Sequence, residues 1–397
     1  MKYIKIFDTH DPSYLTYINS DDCILPNLSY CEDLNETHLN KFDYSKIYLT
    51  TVALEDGTIS FNIHKLMDIE YITSISYSTD NGETWTTTAN QNNKSEHLVI
   101  NVNVNTGDKV LWKGIANQLG FYDEDVFYDY VGSFFSSDCA FDAKGNVMSL
   151  LYGDNFKSQT TINEDYAFSC LFSDYDEEKT CGIINAKDLS LPATTLTDYC
   201  YGYMFCRCAS LVTTPELPTT TLANYCYQCM FGDCTSLTTA PELPATTLAN
   251  YCYQSMFTGC TSLTTAPELP VTTLAESCYQ SMFALCTSLT TAPELPATTL
   301  AELCYYSMFH GCTSLTTAPT LPATTLANEC YSYMFYGCTS LNYIKAMFTT
   351  TPTTNFTAAW VQNVSATGTF IKNSAATWTT TGANGVPTGW AVETASE

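Results

Sequence analysis

Apolar residues along this chain keep two different rhythms. In the first part they alternate with polar ones, as in Ile47-Tyr48-Leu49-Thr50-Thr51-Val52 and Leu98-Val99-Ile100-Asn101-Val102-Asn103-Val104, the period of half-buried strands. Turn signals at Asp56-Gly57, Asn81-Gly82 and Thr106-Gly107 predict hairpins packed as a small β-sandwich over 46–150. Farther on, Cys-Tyr-x-x-Met-Phe-x-x-Cys-x-Ser-Leu occurs six times in succession, and the Leu-Pro pairs beginning at Leu217, Leu243, Leu269, Leu295 and Leu321 keep an interval of 26 residues. Such a period predicts a solenoid over 151–345, because a unit of this size buries its apolar side only against copies of itself. The fold class expected is therefore mixed and β-rich, a repeat solenoid preceded by a sandwich.

Within one copy, Leu237, Ala240 and Leu243 belong to a short extended segment, and Pro241 forbids a continuous ladder through it. Leu248, Cys252 and Met256 follow at i, i+4 and i+8, which predicts a short helix capped by Thr246 or Thr247. Gly259 stands where that helix end needs a left-handed residue. Asp233, Gly311 and Gly337 share its column, and Leu285 departs from it. The Met-Phe pair is constant from copy to copy, which marks it as core.

Two columns vary instead: Cys206, Gly232, Thr258, Ala284, His310 and Tyr336, and Tyr199, Tyr225, Tyr251, Ser277, Leu303 and Glu329. Variation on a constant frame predicts solvent-facing positions that carry recognition. The candidate binding residues are Tyr199, Tyr225, Tyr251, Thr258, Leu303, His310, Glu329 and Tyr336.

The flanks differ from the copies. Tyr166 to Phe172 reads as a degenerate first copy, interrupted by the charged stretch from Asp174 to Lys179. Over 346–397, Trp360, Phe370, Trp378 and Trp390 appear among Thr-Gly turns; a C-terminal cap is expected, with an aromatic sugar-binding platform as the alternative. Residues 1–45 show no clear period. Asp11 to Ile18 reads as a short helix, and the segment as an anchor or docking element.

Composition narrows the chemistry. The chain carries 15 basic and 41 acidic residues, a net charge of −26, with Arg207 as the single arginine. Nucleic acid is excluded as a partner, because phosphate binding needs clustered Lys and Arg. Residues 1–8 turn polar at once and supply no export signal, and no apolar run is long enough for a membrane span.

Of the 19 cysteines, twelve form two columns, at Cys200, Cys226, Cys252, Cys278, Cys304 and Cys330 and at Cys208, Cys234, Cys260, Cys286, Cys312 and Cys338. Reduced thiols in the core are expected there, with disulfides and then zinc as alternatives. The spacing within a copy does not match Cys-x-x-Cys zinc knuckles. His10, His38, His64, His97 and His310 are scattered, and Asp123, Glu124 and Asp125 sit in an aromatic-acidic loop without the order of a calcium site. Glu216, Glu242, Glu268 and Glu294 form a like-charge column that calls for water or cations between its members. No catalytic residue, metal site or cofactor is indicated.

Two resemblances follow from these residues. Phe257-Thr258-Gly259-Cys260-Thr261-Ser262-Leu263 with Leu269-Pro270 resembles the BspA-like class of leucine-rich repeat over roughly 150–345. That class implies a curved right-handed solenoid used for adhesion and protein binding, met in gut anaerobes and bacteriophages. This chain departs from it in Pro215, Pro241, Pro267, Pro293 and Pro319. Ser78-Thr79-Asp80-Asn81-Gly82-Glu83-Thr84-Trp85 resembles the Asp-box of sialidases, a bracing hairpin. One copy and one arginine do not make a sialidase.

The resemblance implies a non-enzymatic phage virion protein, a head or tail fibre or decoration subunit. Residues 1–45 would contact other virion proteins and the repeat arm a host surface glycan or protein, and a homo-oligomeric anchor is expected of a fibre. A bacterial surface adhesin is the rival reading. A glycan-cleaving enzyme centred on Asp123, Glu124 and Asp125 is the third.

Overall fold

A computed structural model describes residues 3–7, 15–19, 43–63, 72–89, 98–117, 119–123, 129–174 and 180–395. Near the N-terminus β1 (Tyr3–Phe7) and β2 (Leu15–Asn19) pair antiparallel. The end of the stretch expected to be helical is thus a strand, in line with the β preference of Thr16, Tyr17 and Ile18.

Alternation then becomes two sheets. The strands are β3 (Leu49–Ala53), β4 (Gly57–Ile63), β5 (Ile72–Ser78), β6 (Thr86–Ala89), β7 (Leu98–Val104) and β8 (Lys109–Ala116). They continue as β9 (Gly120–Asp123), β10 (Asp129–Gly132), β11 (Phe134–Ser137) and β12 (Phe141–Asn146), followed by the one-turn helix α1 (Ser149–Tyr152).

The first sheet has the order β11-β4-β7. The second has seven strands, ordered β13-β12-β3-β8-β5-β6 with β14 also on β12; β13 is Ile183–Asn185 and β14 is Leu189–Ser190. The inward residues of the two sheets meet where Trp112 on β8 lies 6.1 Å from Phe61 on β4 and 5.2 Å from Phe135 on β11, ring centre to ring centre. All three are fully buried.

One of the three turn signals closes a hairpin. Asn81 and Gly82, with φ of 59° and 91°, join β5 to β6. Asp56-Gly57 and Thr106-Gly107 instead carry the chain between the sheets, from β3 to β4 and from β7 to β8. The Asp56 Oδ1 atom accepts from the Thr106 N–H at 2.7 Å and its hydroxyl at 2.9 Å, tying the two crossovers together.

No break in hydrogen bonding separates these sheets from the copies. β12 pairs in parallel with β13 and β14, and the Val212 N–H donates to the Ile184 carbonyl at 2.9 Å.

From Tyr166 onward, consecutive copies lie one over the next. In the copy beginning at Tyr225, the N–H groups of Tyr225, Tyr227, Cys229, Phe231 and Asp233 donate to the carbonyls of Asn250, Cys252, Gln254, Met256 and Thr258 at 2.6–3.1 Å. Each intervening N–H closes a turn three residues back, as from Gln228 to Tyr225 and from Met230 to Tyr227 at 3.0 and 3.2 Å. Tyr225, Cys229 and Asp233 take φ of 54°, 50° and 57°, so a left-handed residue recurs at every fourth position.

The copies contain no α-helix among the described residues. The spacing of Leu248, Cys252 and Met256 belongs to this run of turns, whose period of four mimics one face of a helix. The expected left-handed column is present, Arg207, Asp233, Gly259, Leu285, Gly311 and Gly337 having φ of 57–75°, but it ends a turn run and not a helix. Leu285 adopts the same backbone as its glycine siblings.

The constant residues form the core. Phe205, Phe231, Phe257, Phe283, Phe309 and Phe335 stack at 5.5–5.8 Å, and Tyr201 through Tyr331 in the neighbouring column at 5.9–6.0 Å. Burial of each such ring contributes about 1.5–3 kcal/mol. The described cysteines are free thiols. Those of Cys234, Cys260, Cys286, Cys312 and Cys338 donate to the carbonyls of Phe205, Phe231, Phe257, Phe283 and Phe309 at 3.0–3.1 Å, so this column fastens each copy to the preceding one. Burial pushes the Cys286 and Cys338 thiols up to about 12. The proline-bearing segments make only isolated bridges, such as Thr239 with Thr265 and Thr265 with Thr291, because proline cannot donate to a ladder.

Both ends of the stack are atypical. Tyr166, Phe168, Cys170, Phe172 and Asp174 donate to Asp198, Cys200, Gly202, Met204 and Cys206 at 2.8–3.2 Å. At the far end come β15 (Tyr343–Ala346), the one-turn helix α2 (Thr354–Thr357), β16 (Thr369–Lys372) and β17 (Ala391–Thr394), with β15, β16 and β17 in one parallel sheet. The lateral bonds run one round past the last regular copy, from Glu329, Tyr331, Tyr333, Phe335 and Gly337 to Asn355, Phe356, Ala358, Trp360 and Gln362. Trp360, Phe370, Trp378 and Trp390 are buried, and the three indole N–H groups donate to Gly385, Phe348 and Ser365 carbonyls at 2.8–3.2 Å. Buried rings offer no platform to a sugar, which removes that alternative. The molecule is β-rich with few helical residues.

Candidate binding surfaces

The outward residues of the three-stranded sheet line a groove of about 660 Å³. Its chemistry follows from alternation. On β4, Ile59, Phe61 and Ile63 point to the core, which leaves Thr58, Ser60 and Asn62 on the other face; on β7, Ile100, Val102 and Val104 leave Val99, Asn101 and Asn103 there. Register sets Thr58 opposite Asn103, Ser60 opposite Asn101, and Ser136 of β11 opposite Ser60. The Ser60 hydroxyl donates to Asn101 Oδ1 at 2.7 Å, the Thr58 hydroxyl to Asn103 Oδ1 at 3.3 Å, and Asn62 Nδ2 to the Ser136 hydroxyl at 2.8 Å.

Asn101 and Asn103 are exposed, and their Nδ2 groups donate to no described residue. Asp138 is the one charged group among the described lining residues, and its Oδ1 accepts from the Thr58 N–H at 2.6 Å. The surface thus offers hydroxyl and carboxamide groups that both donate and accept.

The candidates on the copies behave differently. Tyr166, Tyr199, Tyr225 and Tyr251 form a ladder with ring centres 4.3–4.7 Å apart and planes within 11°. Faces so stacked cover one another and leave edges to solvent. Leu303 and Glu329 continue the column half-buried, and Ser277 in it is fully buried. In the second column Thr258, His310 and Tyr336 are half-buried, while Cys206 and Ala284 are buried.

Thr258 spends its hydroxyl on the Ser281 carbonyl at 3.1 Å. His310 meets Tyr336 edge-on at 5.0 Å, and burial lowers its pKa. All eight candidate residues are thus half-buried, and the buried members of the two columns are Ser277, Cys206, Gly232 and Ala284; the columns sit at or between left-handed turns, where neighbouring copies press on them. The exposed positions of a copy include Thr238, Thr239, Glu242, Thr246 and Thr247, with Asp233, Pro244 and Asn250.

Glu216, Glu242, Glu268 and Glu294 are exposed, and among the described residues no group of three His, Cys, Asp or Glu is arranged to hold a metal ion. His10, His38, His64, His97, Glu124 and Asp125 lie outside the described residues. No helix of the described residues is long and apolar enough to cross a membrane.

The Ser78–Trp85 hairpin has a bracing geometry. The Asp80 carboxylate accepts from the Ser78 hydroxyl at 2.6 Å, from the Thr84 N–H at 2.9 Å and from the Thr84 hydroxyl at 2.5 Å. Trp85 donates its indole N–H to the Gly82 carbonyl at 3.2 Å and receives the Lys113 ammonium over its ring at 4.1 Å. The polar groups of Ser78, Asp80, Thr84 and Trp85 are thus occupied within the hairpin.

Comparison with protein-family models, with curated proteins and with solved structures finds no match to this chain.

Proposed function

We propose that this chain is a non-catalytic recognition protein that binds a neutral surface glycan through the groove of the three-stranded sheet. In this reading a BspA-like leucine-rich-repeat solenoid forms a stiff arm beside a β-sandwich, and a phage virion displays the whole. The carrying observation is the lining itself: Thr58, Ser60, Asn101, Asn103 and Ser136, with no Lys or Arg among the described residues. Sugar hydroxyls need partners that both donate and accept, which hydroxyl and carboxamide groups are. A net charge of −26 and the Asp138 carboxylate repel phosphorylated or sialylated chains, so the ligand is uncharged. The 26-residue lateral register supports the solenoid, and the stacked Phe and Tyr columns make it stiff. Among its described lining residues the groove has no aromatic stacking platform, so each site is weak. Display of many copies on one particle supplies the missing avidity.

Titration of the purified chain with neutral polysaccharides tests this reading. Binding in the millimolar range is expected for a single site, and Asn101→Ala with Asn103→Ala should remove it while the chain still unfolds cooperatively, at a midpoint lowered by the loss of the acceptors for the Ser60 and Thr58 hydroxyls. No binding to any neutral glycan, or unchanged binding by the double variant, sinks the proposal. Attachment to cells that survives glycosidase treatment would point to a protein ligand instead.

A further inference from the structure

Within the six regular copies two cysteines, Cys206 and Cys229, stand outside the two thiol columns, and they meet. The position of Cys206 is taken in later copies by Gly232, Thr258, Ala284, His310 and Tyr336. That of Cys229 is Tyr203 in the copy before and Ser255, Ser281, Ser307 and Tyr333 in those after. Each departure occurs once in the regular copies, yet the two Sγ atoms lie 3.6 Å apart. Gly232 makes the room, because a Cβ there would strike the Cys229 Sγ. Cys206 is 4% exposed, and Cys229 is half-buried, alone among the described cysteines in not being buried. The thiols of the Cys234-to-Cys338 column are committed to phenylalanine carbonyls, whereas these two face each other.

We propose that Cys206 and Cys229 are an oxidisable dithiol, a modification site at which a low-molecular-weight disulfide such as oxidised glutathione cross-links the first two regular copies. Accessibility sets the order of events. The Cys229 thiolate attacks one sulfur of the small disulfide, giving a mixed disulfide at Cys229 and one small thiol, which takes up the Cys229 proton. Cys206 then gives up its proton and attacks the Cys229 sulfur, expelling the second small thiol. Two protein thiols are oxidised to one disulfide, and one small disulfide is reduced to two thiols. The bond to Cys229 and burial both raise the Cys206 pKa, which keeps Cys206 a thiol and leaves the first attack to Cys229. The bridge shortens the sulfur separation to about 2 Å and spans residues 23 apart in sequence, across the lateral bonds that hold the two copies.

The test uses the full chain, reduced and then exposed to oxidised glutathione under native conditions, alkylated and mapped by peptide mass. One cross-link, Cys206 to Cys229, is expected, with two thiols lost and the remaining cysteines alkylated after denaturation. Cys229→Ser places the residue of Ser255, Ser281 and Ser307 and should abolish all reaction. Cys206→Ala places the residue of Ala284 and should stop the reaction at glutathione on Cys229. Thermal unfolding midpoints equal to that of the reduced chain confirm that both variants fold. A chain that stays fully reduced, glutathione that persists on Cys229 while Cys206 remains present, or a bridge between other cysteines overturns the proposal.

Discussion

A non-glycine residue in left-handed backbone costs about 1–2 kcal/mol relative to its ordinary conformation, and each copy holds two or three of them. Leu285 gains least in return: it has φ of 61° and is 50% exposed, while its siblings Gly259, Gly311 and Gly337 adopt the same conformation freely. Leu285→Gly should therefore raise the free energy of unfolding by about 1 kcal/mol, measured by urea denaturation. A drop would show that the leucine earns its place by packing over Gly311, whose own Cβ would come within 2.8 Å of the Leu285 side chain. Leu285 does share the lateral hydrogen bond, donating to the His310 carbonyl at 2.7 Å; Tyr225 and Tyr251, in the same backbone state, add a stacked ring to theirs.

At the scale of elements, a proton bears on the stability of the β5–β6 hairpin. The Ser78 hydroxyl and then the Thr84 hydroxyl and N–H hold the Asp80 carboxylate down from 3.8 to about 2. A carboxylate whose folded pKa is depressed adds stability above its unfolded pKa and loses it as pH falls through the folded one. In an NMR titration Asp80 should titrate near pH 2, with the turn amides of Gly82 and Thr84 shifting in the same step; a midpoint near 4 would refute the bracing role. This hairpin was legible in the sequence because Asn81-Gly82 specifies its backbone locally.

The other two turn pairs were not, since Asp56-Gly57 and Thr106-Gly107 say that the chain turns but not whether it stays in one sheet. The helix expected from Leu248, Cys252 and Met256 failed for a related reason. A period of four fits both a helical face and a chain of turns, and what decides is the neighbouring copy, whose carbonyls take every second N–H. The groove, by contrast, was written in the alternation of Leu98 to Val104. Attention to variable repeat columns passed over the constant polar face of a strand.

At the scale of the whole molecule, the stack needs its ends. Removal of residues 346–397 would uncover Tyr331, Met334 and Phe335, all buried, and the truncated chain should self-associate, which light scattering would detect; a dispersed, folded product would show that the regular copies close themselves. The lateral bonds also give the arm a direction. In the peptide units joining 198 to 199, 200 to 201, 202 to 203, 204 to 205 and 206 to 207, the N–H points to the following copy and the C=O to the preceding one. Their dipoles add along the stack as they do in a helix, leaving partial negative charge at the N-terminal end and partial positive charge at the other. Two such arms could meet end to end only head to tail, an association without a natural stopping point. The round at 354–363 takes the last N–H groups of the regular copies, and Ala383 and Asn384 in turn accept from Val361 and Ala359. Those few acceptors continue the lateral ladder within the chain itself, past its last regular copy.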